Sequence, residues 1–318
     1  MLKLLLALAA FCITGAAEAQ NFPSRPVHIV VPYTPGTGAD ILARVLGPKL
    51  SARWKVAVVT DNRPGATGNI GAEIAAKAAP DGYTLLLAAT SFATNPALNR
   101  SLPFDPVRNF APVSLLATGG LGVYVNTSVP ARSMRELIEH MRAEPGKLYY
   151  SSPGNGGIQH LAMELLKLDT GMQIVHVPYK GAGGAISDLV GGHVQAMISA
   201  IQTVAPHVQA GRLRMLAVMS AKRSAAFPDV PTLKEQGLPD LEVETWYAMF
   251  APAGTPAPLI ARINADLGEL VREPDVDNVL EKQGLVPAAG SPESLGARVK
   301  SELARWGRVV AAAGIKAD

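Results

Sequence analysis

Three stretches of this chain share one grammar: a short apolar run, a loop rich in glycine and hydroxyl residues, then apolar residues recurring at helical spacing. The first is residues 27–44. Val27–Val31 reads as a buried strand, Pro32 ends it, Gly36 and Gly38 permit a sharp turn, and Ile41, Leu42, Val45 and Leu46 open a helix. The second runs from a strand at 147–151 through Ser152-Pro-Gly-Asn-Gly-Gly157 into a helix over 158–168. The third passes through Val177-Pro-Tyr-Lys-Gly-Ala-Gly-Gly184 into a helix over 185–190, and its Val-Pro-Tyr echoes Val31-Pro32-Tyr33. Strands alternating with helices imply an α/β fold with a parallel sheet covered on both faces, and ligands bind such sheets beyond the carboxyl ends of the strands. Each loop also aims the unpaired first-turn N–H groups of its helix at whatever lies above, a place that suits anions. The plainer reading of the first loop is a tight turn at Gly36 and Gly38, with Asp40 serving only the helix start.

The units continue along the chain. A second strand is expected at 56–59, followed by the loop Asn62-Arg-Pro-Gly-Ala-Thr-Gly68 and a helix over 70–77; a third is expected at 84–90, followed by a polar loop, Ser91-Phe-Ala-Thr-Asn95, and a helix starting at Pro96. The apolar stretch 112–125, interrupted by Gly119-Gly120, suits a strand crossing between two lobes, and 242–250 suits the return. A helix over 134–142, strands at 195–200 and 215–219 and a helix over 206–210 belong to the second lobe, and helices over 258–270, 275–283 and 292–312 close the chain. The expected division is residues 20–121 with 246–318 as a discontinuous first lobe and 122–245 as the second, a clamshell with its cleft between them.

Residues 1–19 fall outside that plan. Lys3 supplies a positive start, 4–14 an apolar core and Ala17-Glu18-Ala19 a small-residue cleavage site, so a secretory signal peptide is expected, with a mature chain from about Gln20 and a periplasmic address. Phe11 is too bulky to precede a lipidated Cys12. Cys12 is the only cysteine, so the mature chain has no disulfide, thiolate metal site or cysteine nucleophile. No later apolar run approaches the ~20 residues a membrane-spanning helix needs. The formal charge of +3 is scattered and no Lys/Arg block interleaves with aromatics, so nucleic acid is not an expected partner.

Reactive chemistry is sparse. There is no Gly-x-Ser-x-Gly elbow, no His-Glu-x-x-His and no phosphate loop, and the third glycine of a dinucleotide fingerprint is missing where Gly36-Thr-Gly38 runs into Ala39-Asp40-Ile41. None of the six histidines pairs at metal-ligand spacing, and neither metal nor cofactor is expected. Ser152 and His160 suggest a nucleophile and base, but no third orienting group is legible, so an enzyme is not expected. What remains is a set of donors without a reactive group. The candidate ligand-binding residues are Tyr33, Thr34, Gly36, Thr37, Gly38 and Asp40; Ser91, Thr94 and Asn95; Ser152, Gly154, Asn155 and Gly156; Tyr179, Lys180 and Gly181; and Ser199. Converging on one cleft, they suit a small carboxylate or dicarboxylate. Asp40 either serves the helix start or meets a ligand ammonium group, and Tyr179 and Lys180 either line the cleft or cover a loop. Trp246 fits a core better than a ligand platform.

Seven segments in order carry a resemblance: Pro32-Tyr-Thr-Pro-Gly-Thr-Gly-Ala-Asp40, Asn62-Arg-Pro-Gly-Ala-Thr-Gly-Asn-Ile-Gly71, Ser152-Pro-Gly-Asn-Gly156 with His160-Leu161, His176-Val-Pro-Tyr-Lys-Gly181, Asp188-Leu-Val-Gly-Gly192, Ser220-Ala-Lys-Arg223 and Phe250-Ala-Pro-Ala-Gly-Thr-Pro256. The chain resembles, over essentially its whole mature length, the Bug (TctC-like) extracytoplasmic solute-binding proteins of tripartite tricarboxylate transport systems. The resemblance implies a two-lobed type II periplasmic-binding-protein fold, each lobe a mostly parallel sheet flanked by helices. It implies a carboxylate held in the cleft by backbone amides and ordered waters from the first-strand loop and its counterpart, with charged side chains playing little part. The partners it implies are a small organic acid and membrane transporter subunits, with the protein a monomer. A sensor component signalling to a membrane receptor or kinase is the second reading, and a hydrolase a remote third. The sequence departs from the family pattern at Thr37, where glycine is common, at Gly157, where serine is common, and at Gln195 and Ser199, where acidic residues are frequent.

Overall fold

The computed structural model describes residues 22–99, 101–179, 181–239 and 241–315, so the expected signal peptide and Lys180 lie outside the described residues. Strand β1 (Val27–Val31) is buried at every position but His28, as a central strand covered on both faces should be. It lies parallel to β2 (Val58–Asn62) on one side and to β3 (Thr84–Ala89) on the other. Helices α1 (Gly38–Trp54), α2 (Asn69–Ala76) and α3 (Ser91–Leu98) follow these strands in turn.

The two halves of the molecule share one long strand. β4 (Phe110–Asn126) pairs antiparallel with β9 (Glu244–Pro252) from Phe110 to Gly120, and from Leu121 onward with β7 (Ala196–Ala200) and β8 (Leu213–Val218). A Cβ at Gly119 would come within 2.6 Å of Thr245 Oγ1, so glycine lets the strands close at the crossing. β9 returns the chain: the Val243 amide still donates to Met219 O in the second half, while Glu244 already pairs with Gly120.

The second half repeats the grammar of the first. β5 (Tyr149–Ser152) lies parallel to β6 (Val175–Pro178) and β7, and α5 (Ile158–Thr170) and α6 (Ala182–Gly191) follow β5 and β6; α4 (Met134–Ala143) and α7 (Ile201–Gln209) complete it. Across the molecule the strand order is β2-β1-β3-β9-β4-β7-β5-β6, with β8 and β10 (Leu285–Pro287) pairing to β4. Each sheet is therefore mixed, its parallel part made by the βα units and its antiparallel part by the two crossing strands.

Several elements differ from the sequence expectation. α3 starts at Ser91, not Pro96, because Phe92 and Ala93 are buried and Phe92 packs 4.7 Å from Phe250; Pro96 sits inside the helix and lacks the N–H that would reach back to Phe92. α7 starts at Ile201, five residues ahead of Pro206, because Ile201 and Val204 are buried. The largest difference concerns the last helices, α8 (Ala257–Leu270), α9 (Pro274–Lys282) and α10 (Pro292–Ala313), all expected in the first lobe. Leu295 and Val299 of α10 join the Phe92, Phe110 and Phe250 core, but Trp306, Val309 and Val310 lie in the second-lobe core with Leu161 and Leu166. An amphipathic helix buries whichever apolar surface its stripe meets, and α10 is long enough to meet two. Glu302 sits where it passes over the hinge, accepting the Trp246 indole N–H at 2.9 Å and the Trp306 indole N–H at 3.4 Å. Burial pushes the Glu302 carboxyl upward in pKa against these donors.

Trp306 is 1% exposed, and its removal opens a cavity in the second lobe. Trp306→Ala should cost about 3–5 kcal/mol in urea unfolding, whereas the exposed Val107→Ala should stay within about 0.5 kcal/mol of wild type. Equal small effects would mean that the end of α10 is not part of that core.

Candidate functional site

At the carboxyl end of β1 the chain turns through Thr34 to Thr37 and enters α1 at Gly38. Asp40 organises this turn. Its carboxylate is 2% exposed and accepts the Gly36 amide at 2.9 Å, Arg44 Nε at 3.0 Å and Asn62 Nδ2 at 3.0 Å, while Asn62 also donates to Tyr33 O. Burial alone would raise its pKa, but the hydrogen bonds from Arg44, the Gly36 amide and Asn62 outweigh it and hold the carboxyl below its ordinary value. With its oxygens occupied inside the loop, Asp40 holds the turn in shape.

Thr37 is the residue before α1 and makes no side-chain cap; its hydroxyl donates to Thr34 O at 3.0 Å. The first-turn amides of α1, from Gly38 to Asp40, therefore have no acceptor within the helix. Tyr33 closes one side. Its hydroxyl accepts the Ala89 amide at 3.0 Å and lies 2.7 Å from Ser91 Oγ, and burial pushes its pKa up to about 12, so it stays a neutral phenol. Thr94 and Asn95 are buried in α3, and Asn95 Nδ2 donates to Thr67 O and Asn69 Oδ1 at 3.0 and 2.8 Å, tying the second glycine loop to the same floor. Thr67 and Ala66 in that loop hold positive φ angles of 54° and 46°, a left-handed backbone uncommon outside glycine.

The second-lobe loop approaches across the cleft. A side chain at Gly156, where φ is +68°, would collide with Leu98 at the end of α3, so this loop abuts the first lobe. Within it, Ser152 Oγ lies 2.7 Å from His176 Nε2 and donates to Gly154 O at 3.0 Å, the Gly181 amide donates to Pro153 O at 2.9 Å, and the Gly156 amide donates to His160 Nδ1 at 3.0 Å. Gly156 was expected to offer its amide to the ligand, but His160 takes it. Helices α5 and α6 begin after Gly157 and Gly181 without side-chain caps, so their first-turn amides have no acceptor within the helix or from a cap. Asn155 is exposed on the loop. The Tyr179 hydroxyl donates to Asp188, and burial, with the Asp188 charge, pushes its pKa up to about 12.

Ser199 is 2% exposed in β7, opposite Gly122 at the crossing. Gln195, one of the departures from the family pattern, accepts the Tyr149 amide at 2.8 Å and donates to Gly192 O, so it ties strand ends together. One residue of the site was overlooked. The Tyr247 ring sits against Gly38, where any Cβ would strike its hydroxyl, and burial raises its pKa. Strand alternation could have found it, since Trp246 turns into the phenylalanine core and its neighbour must face the other way. Among the described residues no three His, Cys, Asp or Glu are grouped to hold a metal ion, and no helix is long and apolar enough to cross a membrane.

Two α/β halves joined by a pair of crossing strands, with uncapped helix starts at the loops between them, have the architecture of a periplasmic solute-binding protein. Residues 42–315 match the family model described as the tripartite tricarboxylate transporter family receptor, and the chain belongs to that family. It is 36% identical to protein BugT of Bordetella pertussis over 99% of each chain. Among solved structures, Rpa4515 of R. palustris with adipate is 35% identical, with a TM-score of 0.78 over 93% of this chain and 99% of that one. MatC (Rpa3494) of Rhodopseudomonas palustris with bound malate is 30% identical, with a TM-score of 0.74 over 91% and 100%.

The depressed pKa of Asp40 gives the first loop a pH signature. A carboxyl held below its unfolded value stabilises the fold above that value, near pH 4, and the stabilisation is lost as pH falls through the folded pKa. Asp40→Asn should therefore lower stability at pH 7 by about 1–3 kcal/mol, and the gap from wild type should narrow below about pH 4 in chemical unfolding. A gap independent of pH would show that the Asp40 charge does not hold the loop.

Proposed function

We propose that this protein is exported, captures a small carboxylate or dicarboxylate between its lobes and presents it to a transporter of the tripartite tricarboxylate type. The observation that carries the reading is the set of uncapped helix starts at Gly38, Ile158 and Ala182, all at loops that follow parallel strands. Each helix start favours an anion by roughly 0.3–1 kcal/mol when exposed and up to about 2 kcal/mol when partly buried. Several acting together suit an acid held by neutral donors, in line with the adipate and malate of the solved relatives. Tyr33, Thr37, Ser91, Asn95 and Tyr247 would shape the first-lobe wall, with Ser152 to Gly157 and Tyr179 to Gly181 opposite.

In this reading the lobes are residues 20–121 with 246 onward, and 122–245, except that the last turns of α10 travel with the second lobe. The hinge lies where β4 and β9 change partners, at Gly120–Leu121 and Val243–Glu244. Cleavage near Ala19 would release the mature chain into the periplasm.

Calorimetric titration with adipate and malate tests the neutral cradle. Gly38→Val drives a branched side chain into Tyr247 at the mouth of α1 and should weaken binding more than a hundredfold, since several charge-assisted amide bonds at ~1.5–3 kcal/mol each are lost. Lys180→Ala should cost less than about tenfold, the scale of an exposed charge contact. Normal binding by Gly38→Val with abolished binding by Lys180→Ala would make the site a side-chain ion pair.

A further inference from the structure

Two imidazoles lie beneath the second-lobe loop, and each is tied to one end of it. His160 Nδ1 accepts the Gly156 amide at 3.0 Å, and His176 Nε2 lies 2.7 Å from Ser152 Oγ. The two rings stack face to face, with centroids 3.8 Å apart and planes 15° from parallel, and His160 is only 4% exposed. Tyr150 extends the stack, its ring 4.7 Å from His176 and its hydroxyl donating to Glu164 at 2.6 Å. Lys167 lies 2.7 Å from the same carboxylate, so Glu164 is engaged on both sides. From α6 the carboxylate of Asp188 accepts the Tyr179 hydroxyl. Tyr150 on β5 thus faces both imidazoles, with Glu164 and Lys167 of α5 engaged behind its hydroxyl and ring.

The geometry points to His160 as the positioning residue of the second-lobe cradle, with its neutral imidazole a condition for ligand capture; this rests on reading the Ser152–Gly157 loop as half of a carboxylate site. An Nδ1 that accepts an amide hydrogen must carry no proton. Protonating it sets one donor against another and releases Gly156 from the left-handed turn that delivers the chain into α5. A charge on either ring also raises the cost of a charge on the other across 3.8 Å, so the pair titrates as a unit. An imidazolium would attract a ligand carboxylate through the loop, but the bond it breaks lies within the loop that shapes the site. Acid should therefore weaken binding, although the ligand is an anion.

The test compares wild type, His160→Asn and His160→Leu. Asparagine places an amide oxygen near the position of Nδ1, an acceptor that does not titrate, whereas leucine removes the acceptor. Affinity for malate and adipate is measured calorimetrically between pH 8 and pH 5.5, and the protection factor of the Gly156 amide is followed by NMR in the ligand-free wild type over the same range. Imidazoles titrate in this interval, and one proton linked to one hydrogen bond predicts wild-type binding about tenfold weaker at pH 5.5 than at pH 8, with the Gly156 protection factor falling in parallel. His160→Asn, which shares any titration of the ligand itself, should bind within about threefold of wild type at pH 8 and lose most of the pH dependence, while His160→Leu should bind about tenfold more weakly throughout. Tighter wild-type binding in acid, an unchanged slope in His160→Asn, or a Gly156 amide equally protected at both pH values would overturn the assignment. If wild type bound no carboxylate at all, the transport reading would fail, while the Gly156 amide would still report whether His160 holds the loop.

Discussion

A strand of 17 residues can serve two sheets only if its partners change along its length, and β4 makes that change between Gly120 and Leu121. Much follows from it. Because β4 and β9 run antiparallel through the crossing, both sheets share one axis, and the carboxyl ends of β1, β3 and β5 bring their loops close enough for Gly156 to abut Leu98. The crossing is a narrow waist of two strands, and α10 covers it from behind. Glu302 is the pin of that cover, since one carboxylate takes indole N–H groups from Trp246 on β9 and Trp306 on α10. Motion about the waist must bend the strands near Gly119 and Gly120 or slide α10 against one of its two cores.

The cleft handles charge in two distinct ways. Charges that belong to the protein are neutralised by near neighbours, as with Asp40 among Arg44, Asn62 and the Gly36 amide, or Glu164 between Lys167 and Tyr150. Unpaired helix amides are left to face the cleft. A buried ionic side chain would have to be desolvated whether or not a ligand was present, whereas a helix start carries only partial charge and loses little water when empty. Phenols in place of cations at Tyr33 and Tyr247 fit the same economy, because burial keeps both neutral. Tyr247 packs against Gly38 so closely that no side chain fits at the mouth of α1.

Local grammar made the parallel half of each sheet legible. The β-branched run of β1, the glycines after it and the helical spacing beyond are all contained within twenty residues, and the same holds around Ser152. Partners distant in sequence were not legible. Phe92 looked like part of a polar loop because the ring it packs on, Phe250, lies in the returning strand, and α10 shows an apolar stripe without naming the two cores that stripe enters. Sequence does not show where a loop amide turns: those of Gly36, Gly181 and Gly156 point inward, to Asp40, Pro153 and His160. The bond from Gly156 to His160 spans four residues and was within reach of a local reading, but a histidine one turn into a helix carries no mark of which nitrogen accepts.

The central claim is that one carboxylate ligand is held at once by neutral backbone donors from both lobes. Amide chemical shifts recorded while malate or adipate is titrated to saturation address it directly. The account predicts that the first-turn amides of α1, Gly38 to Asp40, and those of α5, from Ile158, move together with a single saturation point. Shifts confined to one lobe, or saturation of the two sets at different ligand concentrations, would contradict a shared cradle.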